Sequence, residues 1–414
     1  MIIFLILIHL QGEDMELFLK ENLVERKNTY CLKWDKLDER FGDPDLLAMW
    51  VADMEFKTPK AVIDGLKQRV EHGVFGYAYT KDSYYQEFFS WMKDIHDVVL
   101  KKEWIRFNFG VVNTIYNLVN LFTQEKESIL IMAPVYYPFW NSIKDNNRNL
   151  IANNLIYNDK TGEFDIDYEE LENDIKNNDV KLVIFCSPHN PAGRIWDKHE
   201  LKKCFDIFKK YGVIIISDEI HQDLQIGDKK FISALALDNA SDYFDNLIVL
   251  NAASKTFNLA CLLNSHIIIP DEKLRAKYDA FAKRFNQIET NILGMLATEL
   301  AYKNGREWRN GLLKVIKHNF NYLKNELQKD SKTKNIIISP LEGTYLALLN
   351  LNPVINKERT KEFIQDDCKI AIDFGEWFGS EYKGFIRINL ATNPKYIEEC
   401  VSRMIKQLNT KDYK

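Results

Sequence analysis

The feature of this sequence that most restricts its fold is a series of apolar runs separated by polar segments of helical length. The runs are SILIMAP (128–134), KLVIFCSP (181–188), GVIIISDE (212–219), NLIVLNA (246–252) and NSHIIIP (264–270). Near-continuous apolar runs of this length are typical of strands that are buried on both faces of a sheet. Helices are predicted between the runs, over 137–146, 198–210 and 271–282. The alternation predicts an α/β fold with a mainly parallel sheet.

The pattern changes after Asn304. A long helix is predicted over 306–329, shorter strands around 335–339, 344–351 and 384–390, and helices over 357–368 and 394–408. This order indicates a smaller α+β domain after the large one. We therefore predict an N-terminal segment, 15–57, that joins the small domain, a large domain, 58–304, and a C-terminal small domain, 305–414. Thr58-Pro59 is expected to cap the first helix of the large domain, with proline at the first helical position.

Composition excludes several classes of protein. A net charge of −5 argues against nucleic acid as the main partner. The cysteines form no C-x-x-C pair, which indicates neither a zinc site nor a disulfide framework and favours reduced thiols in a cytosolic protein. They are Cys31, Cys186, Cys204, Cys261, Cys368 and Cys400.

The N-terminal run MIIFLILIHL (1–10) is apolar. It is far shorter than the ~20 residues that span a bilayer. It also lacks the positive start and the small-residue cleavage site of a signal peptide. One interpretation is a weak membrane or export segment. We favour the other, an upstream extension of the reading frame with Met15 as the natural start, because charged amphipathic sequence begins directly after Met15.

Polar residues follow three of the apolar runs. Asn190, Asp218 and Lys255 come at or just after predicted strand ends. The carboxyl ends of strands in an open α/β sheet are where ligands bind, so we expect one shared site. Lys255 lies in AASKTFNLA (252–260), among small and polar residues. A confined lysine loses its proton readily, and a neutral amine condenses with an aldehyde.

Two motifs surround that lysine with groups suited to a flat heterocycle. Asn190 in SPHNPAGR (187–194) is held by flanking prolines. It either donates to a phenolic oxygen of a cofactor ring or only forms a turn. Asp218 in SDEIHQD (217–223) needs a cation if it is buried. A pyridinium nitrogen is one such cation, and a helix cap or a structural ion pair is the alternative. His221 suits a position near the ring hydroxyl. The alternative, a metal ligand, is disfavoured because no second His or Cys at ligand spacing accompanies it.

A phosphate and an aromatic face have candidates as well. In FGVVNTIYNLVNLF (109–122) a glycine precedes a helix that starts near Val112. The free N–H groups of its first turn suit a phosphate, with side-chain donors from Asn113 and Thr114. Tyr136 in APVYYPFW (133–140) either stacks on a cofactor ring or packs in the ordinary way.

Two further motifs concern the substrate. Arg387 stands within the apolar strand of GFIRINLAT (384–392). A buried guanidinium needs a carboxylate, which is either the α-carboxylate of a substrate or an internal Asp or Glu. Tyr77 and Tyr79 in FGYAYT (75–80) form a loop that is suited to reach a neighbouring site, including one across a dimer.

Together these motifs resemble the MalY/PatB family of pyridoxal-phosphate-dependent C–S lyases, which belongs to the class I/II aminotransferase superfamily with fold type I. The resemblance runs from about residue 15 to about 410. DEIH and SKTFNLA resemble the lyase branch in particular. The motifs, in order, are MWVADMEF (49–56), FGY (75–77), PVYYPF (134–139), SPHNPAGRIW (187–196), SDEIHQD (217–223), SKTFNLA (254–260) and FIRIN (385–389).

The resemblance implies a role for each site residue. Lys255 bonds covalently to the aldehyde of pyridoxal 5′-phosphate and acts as the base. Asp218 pairs with the pyridine nitrogen, and Asn190 and His221 lie at the ring hydroxyl. Tyr136 stacks on the ring, Arg387 binds the amino acid carboxylate, and Tyr77 reaches across a homodimer to the substrate. The phosphate is held by Ser254, Val111, Val112 and Asn113.

Three positions depart from the family pattern. Ala252 stands where the family usually has a serine, Cys261 replaces a glycine, and Asn113 replaces a proline. The strand that typically ends YLAWLD reads YLALLN (345–350). These changes bear on cofactor affinity and on the substrate pocket, and they leave the lysine chemistry in place.

The resemblance implies β-elimination from an S-substituted L-cysteine such as L-cystathionine, which yields a thiol, pyruvate and ammonia. It also implies a cytoplasmic homodimer whose ligand is a small amino acid, with neither nucleic acid nor membrane as partner. Two alternatives stay open. One is an aminotransferase on the same scaffold. The other is a cofactor-binding regulator of a transcription factor with little turnover.

Overall fold

A computed structural model describes residues 14–287 and 290–414. Residues 1–13 lie outside the described part, and with them the apolar run at the N-terminus, so both interpretations of that run stay predictions. Within the described ranges no helix has the length and apolar character needed to cross a membrane.

The helices vary from single turns near the N-terminus to the long α13. In chain order they are α1 (14–22), α2 (Leu32–Asp35), α3 (Leu37–Phe41), α4 (Lys60–His72), α5 (Asp82–His96), α6 (Val111–Phe122), α7 (Tyr137–Lys144), α8 (Tyr168–Asn177), α9 (Lys198–Lys210), α10 (Ser254–Phe257), α11 (Glu272–Arg284), α12 (Ile292–Asn304), α13 (Arg306–Lys329) and α14 (Pro394–Thr410).

The strands vary in length from two residues to the seven of β7. They are β1 (Leu47–Ala48), β2 (Ile105–Asn108), β3 (Ser128–Ala133), β4 (Asn149–Asn154), β5 (Ile156–Tyr157), β6 (Phe164–Asp165), β7 (Val180–Cys186), β8 (Ile214–Asp218), β9 (Leu247–Asn251), β10 (Ser265–Ile268), β11 (Ile337–Ile338), β12 (Leu346–Asn350), β13 (Ile370–Ala371), β14 (Asp373–Phe374) and β15 (Phe385–Asn389).

The central sheet has the order β2-β10-β9-β8-β7-β3-β4. Strands β4, β3, β7, β8 and β9 pair in parallel, whereas β10 runs antiparallel to both β9 and β2. The predicted α/β class with a mainly parallel sheet is therefore confirmed. All five apolar runs form strands of this sheet, and the helices predicted between them are α7, α9 and α11.

The apolar runs are continuous because both faces of the sheet are covered. In β3, Ile129 and Ile131 pack into one hydrophobic core with residues of α6, such as Leu118. Leu130 and Met132 of the same strand pack into the other core. Side chains of a strand alternate between faces, so a strand between two cores needs an apolar residue at every position.

A second, antiparallel sheet has the order β11-β12-β15-β14 and lies with α13 and α14 in the C-terminal part of the chain. The N-terminal segment joins this part, because β1 pairs in parallel with β13, with Leu47 opposite Ile370. The domain boundaries themselves, 15–57, 58–304 and 305–414, stay a prediction.

One local expectation is wrong, and one expected helix is present in an irregular form. Helix α4 begins at Lys60 with Pro59 before it, and Thr58 does not cap it. The Thr58 hydroxyl is buried and has no hydrogen-bond partner in the described part of the chain. The helix expected over 357–368 is a short 3₁₀ turn, Lys357–Arg359, that widens into a π-helical turn, Glu362–Asp367.

The N-terminal segment is anchored by a buried ion pair. The Lys33 side chain is 0% exposed, and its Nζ lies 2.9 Å from Oε1 of Glu55. Trp34 Nε1 donates to the same oxygen at 3.1 Å. Breaking such a pair by removing one partner leaves an uncompensated buried charge.

Replacing Glu55 by alanine is expected to lower the free energy of unfolding by about 3–5 kcal/mol, because it strands the Lys33 ammonium in the core. Chemical denaturation of the purified protein measures this loss. Glu39→Ala is the matched control, since Glu39 pairs with Lys36 at the surface, and it is expected to cost far less stability because water screens an exposed pair. Equal losses for the two variants would contradict the structural role of the buried pair.

Candidate active site

A cavity of about 230 Å³ opens at the carboxyl ends of β7, β8 and β9. These strands are parallel and in register, with Cys186 opposite Asp218 and Asp218 opposite Leu250, so their ends meet at one edge of the sheet. The cavity is lined by Ala52, Phe109, Gly110, Val111, Val112, Asn113, Tyr136, Cys186, Asn190, Asp218, Ile220, His221, Ser254, Lys255, Ala260 and Leu263. Every residue predicted to bind the cofactor is in this set except Thr114.

Lys255 lies in the short helix α10, directly after β9. Its Nζ donates a hydrogen bond of 2.7 Å to the carbonyl oxygen of Ala52. Burial lowers the pKa of this amine to about 8, against the opposing effect of the Asp53 carboxylate. The amine is thus available in its neutral, nucleophilic form close to physiological pH.

Asp218 is the last residue of β8 and is 5% exposed. Its Oδ1 accepts a hydrogen bond of 3.0 Å from the backbone N–H of Ile220. Within the described residues no cationic side chain forms a salt bridge with it. Burial therefore raises the pKa of this carboxyl to about 7. A carboxylate in such a position is stabilised by a cation that enters the cavity.

The amide of Asn190 is oriented by Arg387, which contacts it on the side away from the cavity. Nη1 of Arg387 donates to Oδ1 of Asn190 at 2.8 Å, which leaves the amide NH₂ group for the cavity. Arg387 is buried, does not line the cavity itself, and also pairs with Asp373. Of the two partners considered for this arginine from the sequence, the internal carboxylate is therefore present.

The phosphate end of the site is the start of α6. Gly110 precedes the helix with a φ of 111° and has no side chain to cap it. The first N–H groups of a helix have no intrahelical acceptor, so those of Val111, Val112 and Asn113 are suited to an anion. Thr114 does not contribute as expected, because its buried hydroxyl donates to the carbonyl of Gly110 at 3.0 Å.

Tyr136 and His221 complete the walls. Tyr136 stands immediately before α7 and is half-buried at the cavity. Burial keeps the pKa of His221 well below its usual value, so this imidazole is neutral. Its Nδ1 is buried and finds no hydrogen-bond partner among the residues described. Tyr136 offers an aromatic face on which a heterocyclic ligand can stack, and His221 offers a ring nitrogen that can form a hydrogen bond to it.

Tyr77 and Tyr79 do not reach the cavity of their own chain. Tyr77 is 100% exposed and Tyr79 78% exposed, on the extended loop between α4 and α5. Val74 and Phe75 on the same loop are exposed as well. Of the predicted substrate residues, Arg387 thus lies behind the site and Tyr77 lies away from it.

The sequence interpretation missed the part of the N-terminal segment that enters the site. The carbonyl of Ala52 accepts from Lys255 and also from the Tyr345 hydroxyl, each at 2.7 Å. The preceding residue, Val51, has a φ of 52°, which is strained for a β-branched residue. MWVADMEF contributed to the resemblance, but a backbone carbonyl leaves no chemical signature in a sequence.

These groups fit pyridoxal phosphate. The buried carboxylate of Asp218, which has no salt bridge among the described residues, suits a pyridine nitrogen, the amine of Lys255 suits an aldehyde, and the first turn of α6 suits a phosphate. Within 14–287 and 290–414, no three His, Cys, Asp or Glu side chains are grouped to hold a metal ion.

The sequence matches the profile of the family described as aminotransferase class I and II over residues 45–404. It is 34% identical to cystathionine beta-lyase PatB of Bacillus subtilis over 92% of this chain and 97% of that protein. A PLP-bound protein of Clostridium difficile 630, described as an aminotransferase, superposes with a TM-score of 0.89 at 36% identity, covering 94% and 99% of the two chains. The PLP-bound C–S lyase of Staphylococcus hominis superposes with a TM-score of 0.86 at 28% identity, covering 93% and 97%.

Replacing Asp218 by asparagine is expected to have opposite effects on the cofactor-free and cofactor-loaded protein. Folding raises the pKa of this carboxyl from 3.8 to about 7. The parent protein therefore loses stability as pH rises from about 4 to 7, because the unfolded state gives up this proton more readily than the folded state. At pH 8 the cofactor-free variant should be more stable than the parent by about 2–4 kcal/mol, and at pH 3 the gain should vanish.

Chemical denaturation at the two pH values measures this effect, and visible absorbance measures the weaker cofactor binding expected of the same variant. The neighbouring Glu219, whose pKa burial also raises to about 7, titrates in both proteins, and the Asp218 charge that the variant removes is the smallest of the effects on it. Asp245→Asn, at an exposed carboxylate, is the control and should change neither quantity. An Asp218 variant that is less stable at pH 8 would contradict the assignment of an unpaired buried charge.

Proposed function

Because this chain belongs to the aminotransferase class I and II family, in the group of the MalY and PatB proteins, we propose that it catalyses β-elimination from S-substituted L-cysteines. It is a C–S lyase whose cofactor is pyridoxal 5′-phosphate and whose substrates are amino acids such as L-cystathionine. The products are a thiol, pyruvate and ammonia. The observation that supports this most directly is the convergence of Lys255, Asp218 and Asn190 on one cavity.

In this proposal, each of the predicted cofactor-binding residues contacts a particular group of the cofactor. Lys255 bonds to its aldehyde, Asp218 pairs with the ring nitrogen, and the NH₂ group of Asn190 donates to the ring hydroxyl. His221 lies near the same hydroxyl and Tyr136 faces the ring. The phosphate is received by Ser254 and by the N–H groups of Val111, Val112 and Asn113. The absence of a side-chain hydroxyl at Ala252 leaves the start of α6 as the main phosphate contact.

The chemistry that the cofactor supplies when bound is electron withdrawal from the α-carbon, which favours loss of the α-proton and of the thiolate. The residues of the chain do the rest. Lys255 takes up the α-proton at Nζ, because burial keeps a large fraction of this amine neutral near pH 8. Arg387 binds the α-carboxylate of the amino acid through its guanidinium.

An aminotransferase is the nearest alternative, and the likeness to the Clostridium difficile protein is what favours it. It would need a keto acid acceptor for continuous turnover, whereas β-elimination releases pyruvate without one. The names of the lyase relatives favour elimination. Failure of the cofactor-loaded protein to turn over an amino acid either with or without a keto acid would leave the regulatory alternative.

We further propose that the protein is a cytoplasmic homodimer. The exposed apolar residues of the loop before α5, which are Val74, Phe75, Tyr77 and Tyr79, are an unusual surface for a lone chain. Further exposed apolar side chains lie at the mouth of the cavity, at Phe109, Val112 and Leu263. A second copy would cover these groups and bring its Tyr77 to the cavity. The domain boundaries at 57/58 and 304/305 belong to the same proposal.

Lys255→Ala is expected to abolish both the visible absorbance of the lysine-bound cofactor and the release of pyruvate from L-cystathionine or L-cystine, by about a thousandfold or more. Pyruvate and ammonia are measured with and without an added keto acid. Lys160→Ala, at an exposed lysine, should retain full activity. Pyruvate release by the Lys255 variant at the parent rate would overturn the assignment, and turnover that requires a keto acid would favour the aminotransferase.

Mixing two inactive variants tests the dimer. If Tyr77 acts across the interface, Tyr77→Ala and Lys255→Ala subunits form hybrids with one intact site, and up to about a quarter of the parent activity returns after mixing and re-association. The activity of the mixture is compared with that of each variant alone. In the control mixture, Tyr77→Ala is replaced by Tyr30→Ala, a change at another fully exposed tyrosine. Hybrids confirmed by mass that remain inactive would place Tyr77 outside the partner's site.

A further inference from the structure

Arg387 and Asp373 form a buried ion pair beside the candidate site. They stand directly opposite each other on the antiparallel strands β15 and β14. Their side chains are only 2% and 4% exposed, and Nη2 of Arg387 contacts Oδ2 of Asp373. The arginine that the proposed function assigns to the substrate carboxylate therefore already has a carboxylate partner of its own.

The position of the guanidinium does not depend on Asp373 alone. Nη1 donates to Asn190 at 2.8 Å, and the ring of Phe378 lies 4.8 Å from Cζ. Nε is buried and has no hydrogen-bond partner within the described residues. Arg387 is thus held from several sides and keeps donor capacity that is unused, while Asp373 cancels its charge.

We propose that Asp373 is a specificity-determining residue that weakens the hold of Arg387 on carboxylates. This inference rests on the proposed function, in which Arg387 binds the α-carboxylate. A carboxylate that reaches Arg387 must share one guanidinium with Asp373, and two like charges close together in a desolvated site repel each other. The pair is neutral overall, so it accepts a zwitterionic amino acid more readily than a ligand with a net negative charge.

The class of ligand that this arrangement disfavours is the simple organic anion, which includes keto acids and dicarboxylates. Such ligands lack the α-ammonium group that offsets the carboxylate. Pyruvate, the product of the proposed elimination, belongs to this class and would be held weakly. A keto acid acceptor would also be held weakly, which favours elimination over amino-group transfer on this scaffold.

The test compares the cofactor-loaded parent with Asp373→Asn, using propionate as the probe. Propionate carries a carboxylate and has no amino group to react with the cofactor, and propionamide is its uncharged counterpart. Thermal shift against ligand concentration gives an apparent Kd. Asp373→Asn should bind propionate at least about tenfold more tightly than the parent. The apparent Kd for propionamide should be the same for the two proteins.

Steady-state kinetics supply the second measurement. The KM for L-cystathionine should fall in Asp373→Asn without a rise in kcat, and inhibition by pyruvate should become stronger by a similar factor. A residue that only positions Arg387 would act in the opposite direction, raising both the KM and the Kd for propionate. Unchanged or weaker propionate binding by the variant would overturn the proposal.

Two further variants keep the comparison decisive. Glu200→Gln removes one carboxylate from Arg194, which lies elsewhere and pairs with Glu200 at 2.6 Å, and should leave the Kd for propionate unchanged. If Asp373→Asn does not fold, Asp373→Ser removes the same charge with a smaller side chain and is held to the same outcomes. Propionate binding requires no turnover. If the parent releases no pyruvate, the proposed function is contradicted. If Asp373→Asn nevertheless binds propionate more tightly than that parent, this inference still stands.

Discussion

The site depends on the burial of two ionisable groups at one edge of the central sheet. The amine of Lys255 and the carboxylate of Asp218 are both withdrawn from water, and burial moves their pKa values toward each other, to about 8 and about 7. Neither charge is stabilised fully by the protein alone. The fold brings the two residues together because Asp218 ends β8 and Lys255 follows β9 in α10, and these strands are neighbours in a sheet covered on both faces. A ligand that brings an aldehyde and a basic ring nitrogen together relieves both groups.

The N-terminal segment contributes to the same site from the other side. Its backbone turns at Val51 with a positive φ and is held there by Asn389, whose Nδ2 donates to the carbonyls of Val51 and Asp53 at 2.6 Å each. The turn directs the Ala52 carbonyl at the lysine amine. Asn389 and Arg387 lie on the same strand, β15, so one strand of the smaller sheet supports both this turn and the candidate carboxylate anchor. The two sheets are therefore linked through the site.

Much of the fold follows from patterns that are local in the sequence. The helix predicted over 198–210 is confirmed as α9. Its start is local in the sequence, since Asp197 and Glu200 form a capping box there. The helix predicted over 306–329 is α13 with the same bounds. The expected cap at Thr58 is wrong because a Thr-Pro pair has the same appearance whether or not the hydroxyl turns toward the helix. The turn at Glu362–Asp367 is wider than an α-helix, a difference of backbone hydrogen bonding that residue type does not encode.

The sequence by itself determined the α/β class, the strands that end at the site, and the residue types that suit a pyridoxal phosphate site, because chemistry and hydrophobic period are properties of short segments. It could not decide what surrounds each group. Whether Arg387 has an internal partner depends on β14 lying beside β15, and the carbonyl of Ala52 reaches Lys255 across a separation of 203 residues along the chain. Only the tertiary structure decides such contacts, since burial and charge pairing are set by neighbours in space.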